Sequence, residues 1–182
     1  MKKLSLILSG LVFGVSLNAA VLPVFNFHKT YDKSTIIGVQ YKNVDIKNIG
    51  IKSGGVYGLV VNFRKELGEK GYWGFKFTNE FDYGKLDLEN SNDKITYADY
   101  LLGIGPSYTI EKLHLEVFVT GKLGYVNLEN TEGYFYGFNV GAEYRPFKWL
   151  TLGVGVDSGK FIPQNAVKYD MNSYRGYIGY NF

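Results

Sequence analysis

The stretch that decides the fold is SYRGYIGYNF, residues 173–182, on which the sequence ends. Its even-numbered positions carry tyrosine, isoleucine and phenylalanine with one glycine, whereas its odd-numbered positions carry serine, arginine, tyrosine, glycine and asparagine. Successive side chains of a β-strand point to opposite faces. The stretch therefore predicts a strand with one apolar, aromatic face and one face of polar or small residues. What the aromatic face contacts determines the class of protein.

The same alternation recurs along the chain and predicts eight strands separated by polar breaks. The predicted strands are 34–43, 56–65, 72–87, 96–110, 113–127, 134–145, 150–159 and 173–182. Tight turns such as 111–112 and 146–149 alternate with longer polar segments such as 44–55 and 160–172. Short turns at one end and longer loops at the other are typical of outer-membrane barrels.

The apolar faces carry aliphatic residues in the middle of the strands and aromatic residues at both ends. The aromatic residues that we assign to the turn end are Phe63, Trp73, Tyr108, Tyr144, Trp149, Tyr180 and Phe182. Those assigned to the loop end are Tyr57, Tyr83, Tyr100, Tyr125, Tyr134 and Tyr174. Two aromatic girdles around an aliphatic band match the two interfaces of a bilayer. The sequence thus predicts an all-β, eight-stranded antiparallel up-and-down transmembrane β-barrel whose apolar face contacts lipid.

The polar faces then line the lumen and carry equal numbers of positive and negative side chains. The basic residues are Lys42, Arg64, Lys76, Lys122, Arg145 and Arg175. The acidic residues are Glu80, Asp82, Asp99, Glu116, Glu143 and Asp157. Because an unpaired buried charge is costly, this balance predicts a paired, structural network of charges. Eight strands enclose an interior that side chains can fill, so we expect a plugged lumen.

Some features leave alternatives open. Asn79 and Pro106 fall on the lipid face and Leu101 falls in the lumen, which predicts either a β-bulge or different strand limits. A soluble sandwich would show the same alternation with its apolar face inward. A lipocalin-type soluble barrel would have an apolar lumen and a polar outside, the reverse of our assignment.

The other end of the chain has the layout of a secretory signal peptide. Lys2 and Lys3 precede an apolar run over 4–17, and Ala19 and Ala20 follow it. We therefore predict a signal peptide over 1–20, an unassigned N-terminal arm over 21–33 and the barrel over 34–182. A retained N-terminal anchor is the alternative, although the apolar run is short for a spanning helix.

Composition excludes several classes of function. The chain has no cysteine, which excludes disulfides and thiolate metal sites. Its 20 basic and 17 acidic residues nearly balance, so no footprint for nucleic acid is expected.

The chain resembles the small outer-membrane β-barrel family typified by the membrane domain of OmpA and by OmpX. The resemblance covers 34–182 and rests on the number of strands, the asymmetry of the turns and the final YIGYNF. It implies location in the outer membrane of a Gram-negative bacterium, contact with outer-membrane lipid, and a monomer. In such barrels the last strand resembles the signal that the outer-membrane assembly machinery reads. The residues that match it here are Tyr174, Ile178, Tyr180 and Phe182.

Function is open between three hypotheses. The first is a structural or surface-interaction protein, whose exposed loops 44–55 and 160–172 contact a ligand outside the cell. The second is a small porin-like channel. The third is an enzyme acting on lipid A or phospholipid, but the His-x-Ser pair of lipid A deacylases is replaced here by His114-Leu115-Glu116. With His114 expected on the polar face of its strand as a lumen hydrogen-bonding residue, we assign no catalytic site and no cofactor.

Metal binding has one weak candidate. Asp87, Glu89 and Asp93 lie close in the sequence and could hold a divalent cation. Their spacing does not match a calcium loop. A solvated acidic loop is therefore the favoured interpretation, and we predict no metal site.

Overall fold

A computed structural model describes residues 35–47, 50–67, 72–89, 92–129, 131–164 and 167–182. The predicted signal peptide, 1–20, and N-terminal arm, 21–33, lie outside the described residues and stay predictions. The strands are β1 (Thr35–Ile46), β2 (Gly54–Leu67), β3 (Trp73–Asp87), β4 (Lys94–Ile110), β5 (Leu115–Leu128), β6 (Thr131–Phe147), β7 (Leu150–Pro163) and β8 (Tyr169–Asn181).

These strands form a single closed barrel in which each strand pairs with its neighbours in the chain. All pairs are antiparallel, and β8 pairs with β1 from Ile36↔Asn181 to Ile46↔Met171 to complete the cylinder. Closure leaves no free sheet edge. The fold therefore confirms the predicted eight-stranded antiparallel up-and-down barrel. Within the described residues, no helix is long and apolar enough to cross a membrane.

The exposed fractions of the side chains separate the outer and inner faces of the barrel as predicted. On the outer face the Val154 and Tyr134 side chains are 61% and 60% exposed, whereas the inward Lys76 and Glu80 are fully buried. A soluble sandwich or a lipocalin-type barrel requires the opposite arrangement. Both soluble alternatives are therefore wrong for this chain.

The β-bulge, one of the two explanations for the residues that did not fit, is wrong, because the strands around those residues keep one register. β3 and β4 pair without a shift from Trp73↔Tyr108 to Asp87↔Lys94. Asn79 faces outward but is only 8% exposed, and its side chain hydrogen-bonds to Tyr100.

Pro106 also faces outward, at an interruption of the ladder between β4 and β5. The pairing stops at Ile104↔Gly121 and resumes in the same register at Ser107↔Phe118. Proline has no backbone N–H to donate, so it interrupts the ladder without changing which face a side chain occupies.

The strands are longer at the loop end than predicted, and the predicted loops are correspondingly too long. β1 continues to Ile46, β7 continues to Pro163 and β8 begins at Tyr169, so the connections shorten to 47–53 and 164–168. In these extensions the alternation is inverted. Val44 and Ile46 point inward and are fully buried, while Asp45 lies on the outer side. An apolar inner face and a polar outer face are the pattern of a soluble sheet. We therefore infer that these extensions of the strands lie outside the bilayer.

The glycines opposite large lumen side chains are expected to be essential for packing. A Cβ on Gly153 would lie 2.0 Å from the Tyr177 ring, whereas a Cβ on the outward-facing Gly176 would meet nothing closer than 3.9 Å. We expect Gly153→Ala to lower the free energy of unfolding by about 1–3 kcal/mol through overpacking. The measurement is urea unfolding of the refolded barrel in detergent micelles. Gly176→Ala is the matched control, and equal losses from the two variants would contradict the packing argument.

Candidate functional site

The charged residues of the lumen form two clusters, one nearer the loops and one nearer the turns. The upper cluster contains Lys42, Glu80, Asp82, Asp99, Lys122, Asp157 and Arg175. The lower cluster contains Arg64, Glu66, Lys76, Glu116, Glu143 and Arg145. Every residue of the predicted charge set lies in one of them and is at most 8% exposed. Glu66, on the lumen face near the end of β2, was not in that set.

Glu80, on β3, is the centre of the upper cluster. Its carboxylate accepts hydrogen bonds from Arg175 of β8 and from the Lys122 ammonium of β5, the latter at 2.7 Å. Lys122 also lies 2.6 Å from Asp157 on β7. A single carboxylate thus connects strands that are not neighbours in the sheet.

Lys42, on β1, holds the other side of the upper cluster. Its ammonium contacts Asp82 and lies 3.1 Å from Asp99 and 3.4 Å from Glu80. The upper cluster therefore has three cations against four carboxylates.

Neutral donors stabilise the surplus negative charge. The Tyr97 hydroxyl donates to Asp99 at 2.5 Å, and the Gln40 amide donates to Asp82 at 2.8 Å. Ser173 donates to Asp157 at 2.7 Å. A buried carboxylate needs such donors to replace its hydration. These residues were missed in the sequence because only charges were counted, although the same period-two pattern places them in the lumen.

The lower cluster links β3, β5 and β6. Lys76 lies 2.7 Å from Glu143 and 3.2 Å from Glu116, and Arg145 donates to Glu116 at 2.6 Å. The Tyr177 hydroxyl also donates to Glu143. These ion pairs connect β3, β5 and β6 across the lumen, so the network joins the wall of the barrel from inside.

Arg64 extends the lower cluster toward the turn end. Its guanidinium lies 3.0 Å from Glu66 and donates to the Ser107 hydroxyl at 3.2 Å. It also donates to the backbone carbonyl of Tyr72 at 3.1 Å. The charged interior therefore continues to the connection between β2 and β3.

A cluster of apolar side chains closes the lumen on the loop side of the charges. This apolar plug consists of Val44, Ile46, Ile51, Val56, Leu86, Tyr97, Leu101, Val126, Leu128, Phe135, Phe161 and Met171. Leu101, which did not fit a polar lumen, belongs to it. Because each member is at most 4% exposed, the plug forms a compact apolar core at the loop end.

His114, weighed for the enzyme hypothesis, and the acidic residues of 87–93, weighed for metal binding, both lie outside the lumen clusters. His114 is exposed in the turn after the short 3₁₀ segment Glu111–Leu113, with φ of 51°, so its expected position as a lumen hydrogen-bonding residue is wrong. Among the described residues, no group of three or more histidine and carboxylate side chains is placed to hold a metal ion. Asp87 instead pairs with Lys94 at 3.1 Å on the surface.

Solved structures of outer-membrane proteins share this closed barrel. The attachment invasion locus protein Ail of Yersinia pestis, solved with the heparin analogue sucrose octasulfate, is 12% identical, with a TM-score of 0.55 over 82% of this chain and 97% of Ail. OprG of Pseudomonas aeruginosa is 11% identical, with a TM-score of 0.53 over 82% of this chain and 96% of OprG. The chain has the fold of the small outer-membrane β-barrels.

A third outer-membrane barrel aligns with this chain over a similar share of both proteins. Neisserial surface protein A is 8% identical, with a TM-score of 0.53 over 81% of this chain and 96% of that protein. No protein-family model and no curated protein matches the sequence. The outer-membrane barrel fold is therefore shared across chains whose sequences have little in common.

Removing one buried cation tests whether the upper cluster stabilises the barrel. Arg175→Met leaves Glu80 without its guanidinium partner, and we expect a loss of about 3–5 kcal/mol in the free energy of unfolding. Lys160→Met is the control, because Lys160 pairs with Asp170 at 2.5 Å but is 44% exposed, and such pairs contribute about 0–1 kcal/mol. Urea unfolding in micelles measures both. A loss from Arg175→Met no larger than that of the control would contradict a stabilising role.

Proposed function

We propose that the chain is a monomeric, closed barrel of the outer membrane of a Gram-negative bacterium, with a structural and surface-interaction role. The observation that carries the proposal is the filled lumen. Two charge clusters occupy its middle and turn end, and the apolar plug occupies its loop end. The barrel then serves as an anchor, and the parts of the chain that meet other molecules lie at the loop end.

The porin-like alternative is less well supported by this interior. Conduction needs a continuous hydrated path, and charged side chains select ions only when they line that path. Here the carboxylate of Glu80 and the ammonium of Lys122 are fully or almost fully buried and bonded to each other. On the loop side, an ion would have to pass through the apolar plug.

The loop end carries exposed charges of both signs. Lys52 and Lys168 are exposed there, and Lys94 pairs with Asp87 while their side chains are 58% and 48% exposed. Ail, which has the same fold, was solved with a sulfated sugar analogue. We propose that the connections 47–53 and 164–168 form the surface through which this chain contacts a ligand outside the cell, without a chemical reaction.

Planar-bilayer recording tests the closed lumen. We expect the refolded and inserted protein to show no steady conductance steps, because bonded charges and the apolar plug occupy the lumen. Insertion is checked in parallel by protease protection. Reproducible steps would favour the channel alternative, and a change in their size for Glu80→Gln would then place that carboxylate on the ion path.

We further propose that Phe182 belongs to the signal read by the assembly machinery. Its ring lies 5.0 Å from that of Tyr180, which is 6.4 Å from Trp149. Trp149 in turn stacks on Phe147 at 5.7 Å. Phe147 and Phe182 therefore lie at the two ends of one row of aromatic rings, and their side chains are 58% and 55% exposed. Only Phe182 follows β8, the strand that closes the barrel.

This difference gives a matched pair of variants. We expect Phe182→Ala to slow insertion into vesicles that contain the assembly machinery, while spontaneous folding into vesicles without it proceeds at the wild-type rate. Phe147→Ala removes an equally exposed ring and should leave both rates unchanged. Gel mobility of the folded barrel measures insertion. Equal slowing by both variants would contradict a specific signal and indicate a general effect of the aromatic girdle.

A further inference from the structure

A groove of about 740 Å³ crosses the outer face of the barrel from β4 to β8. Its floor is the backbone of one continuous row of paired residues. That row runs Ser107↔Phe118, Phe118↔Gly141, Gly141↔Gly155 and Gly155↔Arg175. Because the side chains of these residues point into the lumen or are absent, only their backbone faces outward.

The walls of the groove are the two adjacent rows of outward side chains. The wall on the loop side consists of Pro106, Val119, Val140, Val156 and Tyr174. The wall on the turn side consists of Tyr108, Val117, Ala142 and Val154. Trp73 contacts the Tyr108 ring edge-on at 4.9 Å and closes one end. The outward-facing groove walls are thus entirely uncharged, and most of their residues are small or β-branched.

The groove on the outer face is long and narrow. Four steps between strands of about 4.8 Å give a floor about 19 Å long, and outward residues two apart on one strand are separated by about 7 Å. Strands of outer-membrane barrels are tilted by about 35–45°. A row perpendicular to the strands therefore crosses the lipid-facing band obliquely.

We propose that this groove is a binding site for a single extended acyl chain of a bilayer lipid. The groove is continuous with the lipid-facing band, which supplies hydrocarbon chains on all sides. Its width suits one unbranched chain, and its uncharged walls offer nothing to a headgroup. The proposal rests on the barrel being embedded in lipid, but not on whether its lumen conducts.

A second copy of the chain is a poorer occupant. A two-fold symmetric contact places the same patch of both subunits together. Here a concave surface would face a concave surface, and the space between them would stay unfilled. Voids of that kind forfeit the contacts that drive association between apolar surfaces.

Lipid retention tests the proposal. The barrel is refolded in vesicles of phosphatidylethanolamine and phosphatidylglycerol, extracted into mild detergent and weighed by native mass spectrometry. We expect one retained lipid per barrel. Ala142→Phe should lower retention by about tenfold, since its ring displaces the chain from part of the groove and losing on the order of ten atom–atom contacts costs about that factor. Ala98→Phe, an outward alanine of β4 outside the groove, should retain lipid like the wild type.

A second measurement leaves both walls of the groove unchanged. The chain has two tryptophans, so Trp149→Phe leaves Trp73 and Trp73→Phe leaves Trp149. After extraction from vesicles with chains brominated at mid-length, the retained lipid should quench Trp73 strongly and Trp149 hardly at all. Equal quenching of the two, no retained lipid, or equal retention by both phenylalanine variants would overturn the proposal. So would a lipid-free dimer cross-linked through Val119→Cys, since the chain has no other cysteine.

Discussion

The rest of the structure depends on the closed ladder of backbone hydrogen bonds. A bilayer core offers no water to an unsatisfied N–H or C=O group, so a sheet can span it only when its last strand pairs with its first. Once β8 pairs with β1, the outer face must be apolar and every long polar side chain of the wall must point inward. Eight strands leave an interior so narrow that these side chains must also fill it.

The charge clusters are therefore the core of this barrel in the sense in which apolar residues are the core of a soluble domain. Long side chains meet across the lumen because glycines on the neighbouring strands, paired directly with them, leave them space. A Cβ on Gly155 would lie 2.9 Å from the Arg175 guanidinium, and one on Gly103 would lie 3.2 Å from the Lys122 side chain. The number of glycines, the pairing of the charges and the narrow radius of the barrel therefore depend on one another. Each helps to keep the buried charges bonded, and an unbonded buried charge is costly.

The sequence was sufficient for the number of strands and their two faces, because period-two alternation carries both. It was incomplete for the lumen charges, since Glu66 near the end of β2 was not counted. It was insufficient for the ion-pair partners, since Lys42 and Asp99 lie on strands that are not neighbours and meet only across the lumen. The apolar plug was missed because alternation inverts where a strand leaves lipid. Leu101 was then read as an irregularity. Pro106 was read as one too, although it only removes a hydrogen bond.

The apolar plug has a second consequence, which concerns the loop end of the barrel. Above the charges the barrel has an apolar inside and a polar outside, which is the organisation of a water-soluble β-domain. The connections between strands therefore begin from a rim that is packed by its own side chains and does not depend on lipid for its shape. Such a rim tolerates changes of loop length and sequence. The barrel is in this respect a scaffold on which new surface segments can be displayed.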